Sequence, residues 1–369
     1  MPFINDMIDN QRRASLTAVE PSVPAVSDTQ VSRLGKTRFT FDPAAVMAQL
    51  QCQIIGQPQV LAVLAQLLAV VKADIGDPLR PLSVCLFAGP TGVGKTATVQ
   101  VLAEALTGHR DGYCRIDMNT LAQSHYSAAI AGAPPGYVGS KEGTTLFDEA
   151  LINGSYSRPG IVLFDEIEKA SPEVLRALLN VMEDGQLQLS SGNRVIDFRN
   201  SLIFMTSNLG SRELMRWLGR RHWLTGFTGG QKTLPAKVVK AVRARIDQHL
   251  DPEFINRLDH LLLFNPLGLK DAPQLVDRVL DKLNERLARR GWRVTLTGEA
   301  CGFLAQQSFD QRYGARHIRR IVRDQVETPL AQFLLAGATQ SDADKPEFRT
   351  AQGALYQGRI CFIERPARR

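Results

Sequence analysis

Four apolar runs divide the first two thirds of the chain: SVCLFA (83–88), YCRIDM (113–118), IVLFDE (161–166) and SLIFMTSN (201–208). IVLFDE and SLIFMTSN each end in polar residues, as parallel strands do when they carry side chains to a site. Around them apolar positions recur at helical spacing. Leu61, Leu64, Leu68 and Val71 precede the first run, and TVQVLAEAL follows it. Within SPEVLRALLNVMEDG, residues Val174, Leu175, Leu178, Leu179 and Met182 share one face, with Ser171 and Pro172 as a start signal and Gly185 as a stop. Strands alternating with helices predict a doubly wound α/β domain on a parallel sheet.

The pattern changes after Pro266. Leu275, Val276, Val279, Leu280, Leu283 and Leu287 define one amphipathic helix, and Ile318, Ile321, Val322 and Val326 another. The reading is therefore a flexible extension over 1–37, a nucleotide-binding α/β domain over 38–266, a small, mainly helical domain over 267–340, and a tail over 341–369 with a short strand at RICFIE. In the extension, PSVPAVSDTQ reads as linker. Phe3, Ile4, Met7 and Ile8 form a short stripe that is either a docking hook or plain disorder.

Composition narrows the class. With 369 residues, 44% of them hydrophobic, the chain can bury one substantial core and a smaller one. No apolar run approaches the roughly 20 residues that cross a bilayer, and no basic segment precedes a long apolar block at the start, so the expectation is a cytoplasmic protein without a membrane partner. Cysteines 52, 85, 114, 301 and 361 form no CxxC pair, and the six histidines are scattered, which argues against a zinc cluster or a disulfide framework. No GxSxG elbow or nucleophile with a nearby base is evident, so the chain is not expected to be a protease itself. The formal charge of +7 is spread along the chain and selects no partner by itself.

The chemistry begins at GPTGVGKT. Gly89, Pro90, Thr91, Gly92, Val93, Gly94, Lys95 and Thr96 lie between an apolar run and a helix-like stretch, the context a phosphate loop requires. The glycines let backbone N–H groups crowd round phosphate oxygens, Lys95 reaches the β and γ phosphates, and the Thr96 hydroxyl is placed to ligate magnesium. The expected cofactors are ATP and Mg2+. Asp165 and Glu166 follow four apolar residues, so one carboxylate can hold the metal through water while its neighbour polarises the attacking water. Asn208 closes the last run in the same way and can orient that water.

Six segments in order, GPTGVGKT, APPGYVGSKEG, IVLFDEIEKA, MTSNLGS, PEFINRLD and YGARHIRR, resemble the Clp-type AAA+ unfoldases, above all the C-terminal ATPase module of the disaggregases. The likeness runs from about Ile54 to about Leu335 and implies an AAA+ P-loop core with a parallel sheet followed by a helical lid. It implies that Ile55 and Gly56 pack on adenine, that Arg257 is an arginine finger reaching a neighbouring subunit's γ-phosphate, and that Arg316 is a second sensor. An arginine that acts in trans demands an oligomer, by the resemblance a homo-hexamer.

Tyr137, flanked by Gly136, Val138 and Gly139, matches the aromatic of the family's axial pore loop, which grips polypeptide. DGQLQLSSGNRVIDFRN resembles its lower pore loop, with a less basic tip. The implied function is an ATP-driven protein unfoldase or remodelling chaperone with protein substrates. Alternatives are an assembly or disassembly factor for one complex, and a nucleic-acid motor on the same fold; Tyr137 between glycines favours peptide over nucleic acid. The chain lacks the family's large N-terminal substrate domain, coiled-coil insertion and zinc module. Thr225, Gly226 and Phe227 stand where protease-partner members carry a tripeptide that docks on a Clp-like peptidase, but without its leading aliphatic. RWLGRRHW (216–223) is a basic and aromatic segment that suits another partner.

Overall fold

A computed structural model describes residues 37–121, 146–188, 195–224, 234–308, 315–337 and 349–365. The apolar runs form strands β1 (Ser83–Ala88), β2 (Cys114–Asp117), β3 (Gly160–Asp165) and, after a short antiparallel pair β4 (Gln186–Gln188) and β5 (Val195–Asp197), β6 (Ser201–Ser207). They join β7 (His260–Leu263) in a five-stranded sheet of order β2-β3-β6-β1-β7, with every pairing parallel. β7 is absent from the sequence reading because HLLL is only four residues long and follows a polar segment.

β1, β3 and β6 are buried along their whole length, as strands covered on both faces must be. Alternation then divides their side chains between two cores. Val84, Leu86, Val162, Phe164, Ile203 and Met205 enter one. Cys85, Phe87, Ile161, Leu163, Leu202 and Phe204 enter the other. Helices Pro43–Gln53, Pro58–Ala73 and Lys95–Thr107 cover the second face. The helix Pro172–Asp184 covers the first with Val174, Leu178, Val181 and Met182. Its start is fixed by Ser171, whose hydroxyl accepts from the Val174 N–H at 3.4 Å. Leu175 and Leu179 are only half-buried beside that stripe.

Beyond Leu267 a separate core forms around the helix Ala272–Ala288, which buries Val276, Leu280, Leu283 and Leu287. The second amphipathic stretch contains a π turn: α-helix over Ala315–Val322, π over Arg323–Glu327, then α-helix over Thr328–Gly337, with Val326 still buried. A three-stranded sheet stands where the sequence marks mainly helix and one strand. β8 (Trp292–Leu296) runs parallel to β9 (Arg349–Tyr356), and β9 antiparallel to β10 (Arg359–Arg365). The apolar signal of β8 and β9 is thin because only Val294 of β8, and Ala351 and Gly353 of β9, are buried in those two strands. The tail thus shares the core of residues 276–360. Among the described residues, no helix is long and apolar enough to cross a membrane.

Candidate functional site

The strand ends that precede Gly89, Glu166 and Asn208 lie side by side, because β1, β6 and β3 are neighbours in the sheet. β1 leaves the sheet through Gly89, whose φ is +149°; a Cβ there would stand 2.9 Å from the Phe264 carbonyl oxygen. Only glycine fits that turn. The loop ends at Gly94, which caps the helix Lys95–Thr107.

Lys95 is buried, with 8% of its surface exposed. Its Nζ donates to the Gly89 carbonyl, to the Pro90 carbonyl at 3.0 Å and to Asn208 Oδ1 at 2.9 Å. A buried cation needs such oxygens in place of water. The Asn208 N–H in turn donates to Glu168 Oε1 at 3.0 Å, while Glu168 Oε2 is buried without a hydrogen-bond partner.

Asp165, 9% exposed, accepts from Thr206 Oγ1 at 2.5 Å and from Arg115 Nη2 at 2.6 Å. Thr206 Oγ1 also accepts the Glu166 N–H at 3.0 Å, so one hydroxyl locks both acidic residues to β6. Glu166 has φ +60°, ψ +56°, a left-handed conformation that a non-glycine side chain adopts at a cost. Its Oε2 accepts from Asn119 Nδ2 at 2.9 Å. Thr206, Arg115, Asn119 and Glu168 are absent from the sequence reading. Thr206 and Arg115 carried a signal: a threonine inside a buried strand and an arginine in a strand each require a partner.

An open cleft adjoins the loop. Its walls are Ile54 and Ile55, the loop residues Gly92 to Gly94, and Leu275, Val279 and Ile318 of the helical unit. Arg110, Arg278, Lys282 and Arg319 add positive charge. Burial lowers the pKa of Lys282, and the charges of Arg110 and Arg319 lower it further. An anionic ligand would relieve that surplus. Gly56, with φ +78°, does not line the cleft but packs beside Leu267, which does. Arg316 lies in the helix that also carries Ile318; its side chain is outside the described residues.

Arg257 closes the short helix Pro252–Asn256. Its Nη1 pairs with Glu183 Oε2 at 2.5 Å and its Nη2 with Glu253 Oε1 at 3.1 Å, while Nε is buried without a hydrogen-bond partner. Arg80 holds the backbone beside it, donating to the carbonyls of Met182 at 3.2 Å and Arg257 at 3.5 Å. The residues expected to form the pore loop, Gly136, Tyr137, Val138 and Gly139, the tip 189–194 of the second expected loop, and Thr225 to Phe227 lie outside the described residues.

Magnesium fits this donor set. The Thr96 hydroxyl and the Asp165 carboxylate are hard oxygens, and the ion ordinarily takes one or two such ligands together with phosphates and water. Among the described residues no cluster of His, Cys, Asp and Glu could hold a metal unaided.

Two family signatures match consecutive parts of the chain: "AAA domain (Cdc48 subfamily)" over residues 80–261 and "C-terminal, D2-small domain, of ClpB protein" over 267–345. The chain is 45% identical to the ATP-dependent protease ATP-binding subunit-like protein AmiB of Pseudomonas aeruginosa, over 99% of this chain and 100% of that one. It is 38% identical to the chaperone protein ClpB of Meiothermus ruber, over 92% of this chain but only 37% of ClpB. The chain thus spans about a third of that ClpB's length. A solved closed-state reconstruction of Hsp104 with ATPγS and FITC casein superposes with a TM-score of 0.72 at 25% identity, covering 92% of this chain and 53% of that one.

Proposed function

The chain belongs to the Clp-type AAA+ ATPases, and from that premise we propose that it is a protein-remodelling motor: a ring, of six copies by the family resemblance, that hydrolyses Mg-ATP between subunits and draws polypeptide through its axis. The family binds nucleotide with a divalent metal. The observation that carries the proposal is the convergence of Lys95, Asp165, Glu166 and Asn208 at the ends of three neighbouring strands, beside a cationic cleft.

In this reading residues 38–266 bind nucleotide and 267–340 form the lid. Gly89 to Thr96 cradle the phosphates, and Ile55 and Gly56 flank the base. Lys95 exchanges its carbonyl and Asn208 partners for phosphate oxygens. Thr96 and Asp165 hold the magnesium, which offsets charge on the β and γ phosphates when bound. Glu166 accepts a proton from the attacking water and Asn208 orients that water. Arg257 leaves Glu183 and Glu253 to meet the γ-phosphate of the neighbouring copy, Arg316 senses the nucleotide from the lid, and Tyr137 grips the substrate. The casein in the Hsp104 reconstruction and the cationic cleft support protein as substrate and ATP as fuel.

The test is a Glu166→Gln chain, which should bind ATP without hydrolysing it and retain its client for identification by mass spectrometry. In the unaltered protein, turnover should rise with an unfolded protein and ignore DNA. Stimulation by DNA alone would move the reading to a nucleic-acid motor. A single trapped client would mark a dedicated assembly factor.

A further inference from the structure

Gln57 stands at the N-cap of the helix Pro58–Ala73, where short side chains are favoured because they bond back onto the helix. Gln57 makes no such bond. Its carboxamide, in a residue only 1% exposed, turns the other way. Nε2 donates to the Val93 carbonyl at 3.3 Å and to the Asn265 carbonyl at 2.8 Å, and Oε1 accepts the Asn265 N–H at 2.7 Å. Both donors of the amide are thus committed to backbone.

We propose that Gln57 is a positioning residue for the phosphate loop, holding the Val93–Gly94 peptide in one orientation and tying it to the backbone that enters the lid. This role presupposes that residues 89–96 cradle phosphate. The peptide is trans, like every described peptide, so the Val93 C=O and the Gly94 N–H point in opposite directions. With the carbonyl held at Gln57, the Gly94 N–H is turned away from it. The buried Val93 side chain and the Gly94 carbonyl, which accepts from the Thr98 N–H at 2.8 Å, hold the residues on either side, about which the peptide itself can still rotate. Gly94 has φ +107°, and a Cβ built on it would meet nothing within 4 Å. A glycine in open space can let its peptide flip, and a flipped peptide would present a carbonyl where the loop needs a donor.

The far end of the clamp is placed to matter. Asn265 lies two residues past β7 and two before Leu267, and its Nδ2 donates to the Gly56 carbonyl at 3.4 Å. The start of the lid packs on the same corner: a Cβ on Gly56 would stand 3.1 Å from Leu267 Cδ2 and 3.5 Å from Asp271 Oδ2. One side chain therefore connects the phosphate loop, the segment beside the base and the entry to the lid.

The experiment measures Mg-ATP affinity by calorimetry and steady-state ATPase on the full chain. Gln57→Leu replaces the amide with a shorter apolar branch and removes every bond. Its Kd and KM should rise at least about tenfold with kcat changed less than about threefold, the signature of binding lost equally from ground and transition states. Gln57→Glu keeps the acceptor, and its ionised form donates nothing; protonation restores one donor. The ratio of its Kd to that of the unaltered chain should therefore fall by at least about threefold between pH 8 and pH 6. A Gln57→Leu affinity within about twofold of the unaltered chain, or a flat pH ratio, overturns the proposal. If Gln57→Leu does not fold, the Gln57→Glu ratio decides alone. An unaltered chain that binds no Mg-ATP overturns the phosphate-loop reading itself.

Discussion

Asn208 Oδ1 accepts from Lys95 Nζ at 2.9 Å, joining the residue that follows β6 to the lysine beyond the turn of β1. The side chain expected to orient the attacking water is thus the one that holds the lysine expected to bind the phosphates. Lys95→Ala should abolish nucleotide binding. Asn208→Ala should lower kcat by tenfold or more while the Kd for ATP moves by less than about threefold, because the lysine keeps the Gly89 and Pro90 carbonyls. Calorimetry and single-turnover hydrolysis check the pair. Equal losses in affinity and rate would show that Asn208 serves binding alone.

Thr206 carries a second prediction. Its hydroxyl donates to Asp165 and accepts from the Glu166 N–H. Thr206→Val fills the same volume but leaves that buried N–H without an acceptor, at a cost of about 1–3 kcal/mol. Chemical denaturation should show the loss and ATPase assays a slower enzyme, with Thr206→Ser restoring both.

Arg257 is held by Glu183 and Glu253 of its own chain. If it acts on a neighbour, Arg257→Ala and Lys95→Ala chains should each be inactive alone and regain activity when mixed. In mixed rings the Lys95→Ala copy supplies the arginine to an intact nucleotide site. Absence of recovery, with mixed assembly verified by light scattering, would remove the trans role.

Cys85 provides a test of the core. Burial foremost pushes its thiol from 9.0 up to about 12; the Ser83 hydrogen bond opposes this shift and the charge of Asp259 adds to it. The fold thus favours the neutral thiol. Its contribution is complete below about pH 9 and is lost toward pH 12, because the unfolded thiol ionises first. The limiting slope is about 1.4 kcal/mol per pH unit. Urea midpoints between pH 8 and 10.5 should fall more steeply for the unaltered chain than for Cys85→Ala. Maleimide should label exposed Cys52 and Cys361 well before buried Cys85 and Cys114.

Strands and helices announced by long apolar runs were legible in the sequence: β1, β3 and β6 are mostly apolar and buried along their whole length, and the 172–184 helix has start, stripe and stop. β8 and β9 were not, since one face of a small sheet is buried there by Val294, Ala351 and Gly353. The candidate site divides along the same line. Lys95, Asp165, Glu166 and Asn208 sit where motifs end. Thr206, Arg115 and Gln57 act through partners 41, 50 and 208 positions away in the chain, distances that local patterns do not encode.

The ladder that completes the small domain has a mechanical grain. Arg365 of β10 faces Thr350 of β9, and the hairpin turn lies at the opposite end, beyond the Arg359–Tyr356 rung. Tension on the C-terminus would unzip that hairpin rung by rung, starting beside Arg365. β9 itself, laid parallel along β8 from Trp292–Arg349 to Leu296–Gly353, would have to be sheared. A weight hung on the tail would open the last strand and leave the rest of the small domain standing.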